Sequence, residues 1–143
     1  TASSSRTRTH PPDRRRAVLG NGPEELVPLA QASGFEVEGA EAAARALAGG
    51  TRTVVGRLGA RGALALSAAG EVMVAPGFAA DVRNPVGAGD AFNGGFIAAR
   101  VAGLPLADAL RWGNAVGALK VARDGGARDQ PSRAEVEALL AAG

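Results

Sequence analysis

Apolar positions along this chain fall into two rhythms separated by glycine-rich punctuation. The first sixteen residues, TASSSRTRTHPPDRRR, show neither rhythm. They read as a disordered basic tail or a truncation scar, and they lack the apolar face that an amphipathic transit peptide needs. From Ala17 the pattern is regular. Ala17-Val18-Leu19 is a short apolar run ended by Gly20, Asn21 and Gly22, which predicts a buried strand delivering a loop. Pro23, Glu24 and Glu25 suit a first helical turn, which predicts a short helix from Glu24 to Ala32. A second helix is predicted over Ala40 to Ala48, stopping at Gly49-Gly50. Three β-like stretches follow: Thr53 to Gly56, Ala63 to Ser67 and Glu71 to Ala75, the last two joined by the hairpin turn Ala68-Ala69-Gly70. A long helix is predicted from Gly89 to Val101 and another from Pro105 to Ala122, ending before Gly125-Gly126. Ser132 to Glu135 is a capping-box pattern opening a last helix that ends near Ala142. Strands with helices, then helices alone, predict an α/β layered domain without internal repeats.

Composition narrows this reading. A length of 143 residues suits one domain over residues 17–143. Hydrophobic residues make up 46% and aromatics only 3%, so Val, Leu and Ala must fill the core. The absence of cysteine excludes disulfides, thiolate zinc sites and thiol nucleophiles. His10, beside Pro11 and Pro12, reads as a solvated loop residue. No apolar run reaches membrane-spanning length, so a cytoplasmic protein without a membrane partner is the default expectation. The pI near 10.3 is misleading. Residues 1–16 hold five arginines against one aspartate, whereas the whole chain is +2, so the body is slightly acidic. It presents no basic face, and nucleic acid is rejected as the main partner.

The informative segment is Asn84-Pro85-Val86-Gly87-Ala88-Gly89-Asp90-Ala91-Phe92-Asn93-Gly94-Gly95-Phe96. Small residues before a helix let the backbone approach a ligand, and successive N–H groups with the helix dipole make an anion site. Asp90, directly after the last of those glycines, would repel a phosphate if binding were its task. Its placement suits a general base that takes a proton from a hydroxyl attacking a phosphoryl group. An acid in a first helical turn is also favourable by itself, but a plain helix start needs no flanking glycine pair. A Walker-A loop is excluded because the only lysine, Lys120, falls mid-helix. A dinucleotide fingerprint is excluded because Phe92 stands where its third glycine belongs.

Asn84 to Phe96 resembles the second signature of the ribokinase-like (PfkB) carbohydrate kinases, Asp-Thr-x-Gly-Ala-Gly-Asp-x-Phe. Asn21-Gly22-Pro23-Glu24 resembles the family's Asn-x-x-Glu motif, and Arg57-Leu58-Gly59-Ala60-Arg61-Gly62 its nucleotide-bordering strand-turn. Asn114 matches a position lining the adenine pocket, and Gly125-Gly126-Ala127 the loop near the base and a monovalent-cation site. The resemblance implies the C-terminal part of a three-layer α/β/α kinase fold with an incomplete sheet, and phosphorylation of a sugar or sugar-acid hydroxyl by ATP. In that reading the amides of Gly87, Ala88 and Gly89 form the anion hole and Asp90 is the base. Arg57, Gly59, Gly62, Asn114 and Gly126 border the nucleotide, while Asn21 and Glu24 serve Mg2+ through water.

Two departures bear on this. Asn84 replaces the usual Asp, and a neutral amide is a weaker ligand for a hard cation, which argues against potassium (K+) activation. Arg57 stands where Thr or Lys is common. The same positions admit a plainer reading: turn glycines at Gly59 and Gly62, a helix-start acid at Glu24, solvated charges at Arg111 and Arg123, and a core or interface role for Trp112. The family's N-terminal half, which supplies most sugar contacts, has no counterpart here, so the substrate is not selected among sugars, sugar acids and nucleosides. A non-catalytic nucleotide-binding remnant, and an interaction fragment whose exposed sheet edge pairs with a partner or forms a homodimer, stay open as rivals.

Overall fold

Alternation along the strands sorts side chains to two faces, and the rest of the fold follows from covering both. The computed structural model describes residues 17–49, 52–126 and 128–143; the tail and Ala127 lie outside them. Four strands, β1 (Ala17–Asn21), β2 (Thr53–Arg57), β3 (Gly62–Leu66) and β4 (Val72–Pro76), form one sheet in the order β1-β2-β3-β4. β1 runs parallel to β2, with Ala17 opposite Thr53 and Asn21 opposite Arg57. β2–β3 and β3–β4 are antiparallel. The parallel pair needs a crossover, which α1 (Val27–Ala32) and α2 (Ala40–Ala48) provide. The antiparallel β3–β4 pair needs only a hairpin. Its turn closes through Gly70 N to Ser67 O (2.9 Å) and Ser67 N to Glu71 O (2.9 Å).

On one face Val54, Leu64 and Leu66 pack with Leu26 and Ala30 and with Ala43, Ala44 and Leu47 of α2. On the other, Val55, Ala63, Ala65 and Ala75 meet Phe92, Phe96 and Ala99 of α3 (Ala88–Val101) and Leu106, Ala109 and Leu110 of α4 (Leu106–Val121). The result is a three-layer α/β/α arrangement, as expected for part of a ribokinase-like fold. α3 and α4 approach closely because small residues face large ones. A Cβ at Gly113 would come within 2.8 Å of the Phe92 ring, and one at Gly95 within 2.7 Å of Val116. α5 (Arg133–Ala142) is capped by Ser132, whose Oγ accepts from Glu135 N at 3.2 Å, the pattern its sequence predicts.

Element boundaries differ from the sequence reading in instructive ways. The helix expected from Glu24 to Ala32 is a π-helical turn, Gly22–Leu26, followed by α1. Pro28 lacks an N–H and tolerates only a first turn, so the regular helix begins beside it. β2 extends to Arg57 because both neighbours pair that far, with Asn21 on one side and Ala63 on the other. β3 begins at Gly62, where a side chain would overlap the Ala75 carbonyl of β4. No helix among the described residues is long and apolar enough to cross a membrane.

Candidate functional site

The glycine loop is anchored before it turns. The amides of Arg83 and Asn84 both donate to Val121 O, at 2.8 and 3.0 Å, satisfying a carbonyl at the end of α4 that has no helical partner. Arg83 Nη1 pairs with Asp124 at 3.1 Å on the exposed side. Asn84 Oδ1 accepts from Val86 N at 3.0 Å, bending the chain toward Gly87. Gly87 has φ 83°, a left-handed conformation that glycine adopts without penalty, and it is the N-cap of α3. The ladder of α3 begins with Ala91 N to Gly87 O at 2.9 Å. Ala88 N reaches only Pro85 O, at 3.4 Å. The amides of Gly87, Gly89 and Asp90 find no acceptor among the described residues. They point from a helix N-terminus, where anions are favoured. Asp90 occupies the first turn of α3 and its side chain is exposed.

A cation stands against this loop. The Arg57 guanidinium, at the end of β2, lies over Gly89 so closely that a Cβ there would overlap Nη1. The Arg57 side chain is 19% exposed, and its Nε is buried without a hydrogen-bond partner. Nη2 meets Glu25 Oε2 at 3.4 Å, a long contact. Glu25 in turn packs over Gly20, where a Cβ would come within 2.9 Å of Oε2. Glu24 is exposed and makes no ion pair or hydrogen bond among the described residues, and the side chain of Asn21 lies outside them. Glu25 thus brings a carboxylate oxygen beside Arg57, and Glu24 adds an exposed carboxylate one residue earlier in the chain. One or two such oxygens suit a Mg2+ ion that keeps most of its water and phosphate ligands.

The other predicted residues separate. Gly59 opens a short 3-10 turn, Gly59–Arg61, and is exposed. Gly62 is buried against the backbone of β4. Asn114 is 8% exposed, and its Nδ2 donates to Ala75 O (3.0 Å) and Pro76 O (3.1 Å), spending both amide hydrogens on the end of β4. Gly126 offers its carbonyl to Lys120 Nζ at 2.8 Å. Two expectations are corrected. Arg123 is not a solvated charge: it bonds Asp129 at 3.0 Å and pairs with Glu135, fastening the loop after α4 to α5. Lys120 lies in the last turn of α4, 3% exposed. Glu25 and Lys120 carried no signal in the sequence that separated them from ordinary helical charges.

Beside Asp90, a cleft of about 560 Å³ runs between α3, α4 and the start of α5. Ala98, Ala99, Leu104, Trp112, Val116 and Val136 give it a largely apolar lining.

A family model described as pfkB family carbohydrate kinase matches residues 21–133. The chain is 48% identical over 89 residues to a 1-phosphofructokinase of Haloferax volcanii, which covers 59% of this chain and 29% of that protein. Its fold matches the ribokinase of Thermotoga maritima with a TM-score of 0.79 at 31% identity, over 87% of this chain and 42% of that one. It also matches a putative ribokinase II from E. coli in complex with ATP and Mg2+, with a TM-score of 0.63 at 34% identity, over 69% of this chain and 33% of that one. The chain therefore spans less than half the length of each of these proteins.

Proposed function

The chain belongs to the pfkB family of carbohydrate kinases, and from that premise we propose that it carries the nucleotide-binding and catalytic residues of an ATP-dependent kinase acting on a sugar or sugar-acid hydroxyl. One observation carries the reading. Three backbone amides without acceptors, those of Gly87, Gly89 and Asp90, share one loop with the Arg57 guanidinium and the exposed Asp90 carboxylate. Unpaired donors beside a cation suit the charge that gathers on a transferring phosphoryl group. Asp90, one residue further on, is placed to accept the proton of the attacking hydroxyl.

Arg57 would do the work that Thr or Lys does in relatives, through the Nη1 end of the guanidinium that lies over Gly89. Mg2+, when bound with ATP, neutralises phosphate charge; Glu24 and Glu25 would orient its water ligands. The apolar cleft beside Asp90 offers few hydroxyl partners, so the sugar would be held by residues beyond these 143. The test is ADP release by the intact protein across a panel of sugars, sugar acids, sugar phosphates and nucleosides. Acceptor-dependent ADP release supports the kinase reading. Tight ATP binding without release for any acceptor favours the nucleotide-binding remnant instead.

A further inference from the structure

The only lysine of the chain is buried and takes no part in the chemistry proposed above. Its Nζ donates to three backbone carbonyls, Gly125 O at 3.2 Å, Gly126 O at 2.8 Å and Asp129 O at 3.1 Å. An ammonium has three protons, and all three are used. No carboxylate among the described residues forms an ion pair with it. The nearest candidate, Asp129, turns its side chain to Arg123 at 3.0 Å. A cation held by a ring of carbonyl dipoles, rather than by an acid, has the environment that an alkali-metal ion takes in proteins.

The stem of the same residue reaches the other loop. A Cβ at Gly87 would sit 3.8 Å from Lys120 Cε, so the side chain passes beside the glycine that turns the chain into α3. The next residue, Val121, holds the amides of Arg83 and Asn84 through its carbonyl. Asn84 Oδ1 is meanwhile engaged by Val86 N. Lys120 thus binds the loop after α4 with its head and lies beside Gly87 of the glycine loop with its stem.

We propose that the Lys120 ammonium is a built-in cation that fastens the carbonyl loop of Gly125, Gly126 and Asp129 to the glycine loop, in place of an alkali-metal ion, so that the protein needs none. Lys120 is a positioning residue here, since it acts through the loops and touches no substrate. The proposal rests on the kinase reading only for its nucleotide readout. Its stability readout stands without that reading.

The experiment compares thermal unfolding and Mg–ATP affinity in choline, sodium and potassium chloride at equal ionic strength. The natural protein is expected to show the same values in all three. Lys120→Ala leaves a cavity and three unpaired carbonyls, which predicts a lower midpoint and ATP binding weaker by about tenfold in choline. Both should recover in part with potassium, and with n-propylammonium, which restores the atoms removed. Lys120→Met keeps the stem and removes the charge; it should be as weak in choline and unresponsive to n-propylammonium. A natural protein that needs potassium for ATP affinity or stability would overturn the proposal. So would a Lys120→Ala protein equally unstable in every salt. If ATP binds to neither protein, the kinase reading fails, whereas cation-dependent melting of Lys120→Ala still upholds the built-in cation.

Discussion

Asp90 stands at the start of α3 with an exposed carboxylate and an amide that has no acceptor among the described residues, so in the proposed mechanism one residue would supply both a base and an anion donor. Asp90→Asn keeps the shape and the amide but removes the base. Turnover of the intact kinase should fall by about 10²–10⁴-fold. ATP affinity should hold, because a negative charge near phosphate is lost. Single-turnover kinetics with an ATP titration separate the two, and a near-normal rate would remove Asp90 from the mechanism. One residue earlier, a side chain at Gly89 meets the Arg57 guanidinium. Gly89→Val should therefore raise KM for ATP and lower kcat together, by displacing Arg57 and blocking the backbone. Gly70, with φ 91° in the β3–β4 hairpin, is the control: Gly70→Ala should lower the melting temperature and leave KM for ATP unchanged.

α4 is the element that joins the site to the sheet. Its Asn114 holds the end of β4 through two carbonyls, its Lys120 holds the following loop, and Val121 O holds the start of the glycine loop. A mid-helix asparagine is unfavourable without such a partner. Asn114→Leu, close in size, leaves the Ala75 and Pro76 carbonyls without that donor and should cost about 1–3 kcal/mol of stability. Urea unfolding measures it. If ATP affinity is unchanged at temperatures where the variant is folded, the anchoring role accounts for the residue. A large loss of affinity with normal stability would return Asn114 to the adenine pocket.

At the scale of the molecule, the chain covers 42% of the Thermotoga maritima ribokinase that its fold matches. Val74, on the edge strand β4, is 64% exposed, Val86 is exposed in the glycine loop, and Ile97 and Val101 are exposed further along α3. The 143-residue chain by itself should bind Mg–ATP weakly and phosphorylate no sugar. Holding the acceptor hydroxyl near the phosphoryl group can account for about 7–11 kcal/mol of a barrier, and the described residues supply no such hold. Its apolar surface and open sheet edges should also favour association. Calorimetry with Mg–ATP, a coupled ADP assay and light scattering check the three parts. Sugar-dependent ADP production at an ordinary kinase rate would overturn the second.

Local pattern in the sequence determined most of the elements. The short apolar runs Thr53–Gly56 and Ala63–Ser67, the Ser132 cap and the glycine loop opening a long helix depend on residues a few positions apart, and the structure places them within one or two residues of the reading. The loop motif, with the shorter matches around it, likewise pointed to the family that the comparison assigns. Tertiary structure alone decided where those elements end and which charges work. Arg57 joins β2 because Asn21, 36 residues earlier in the chain, and Ala63, beyond the next turn, both pair with it. Its guanidinium then falls on Gly89, 32 residues further along the chain. Arg123 reads in sequence as a solvated charge and Lys120 as a mid-helix lysine, yet the loop after α4 folds back and surrounds them with carbonyl and carboxylate oxygens. A charge is read in sequence by its neighbours along the chain, whereas its burial depends on what the fold brings over it, and no local period encodes that.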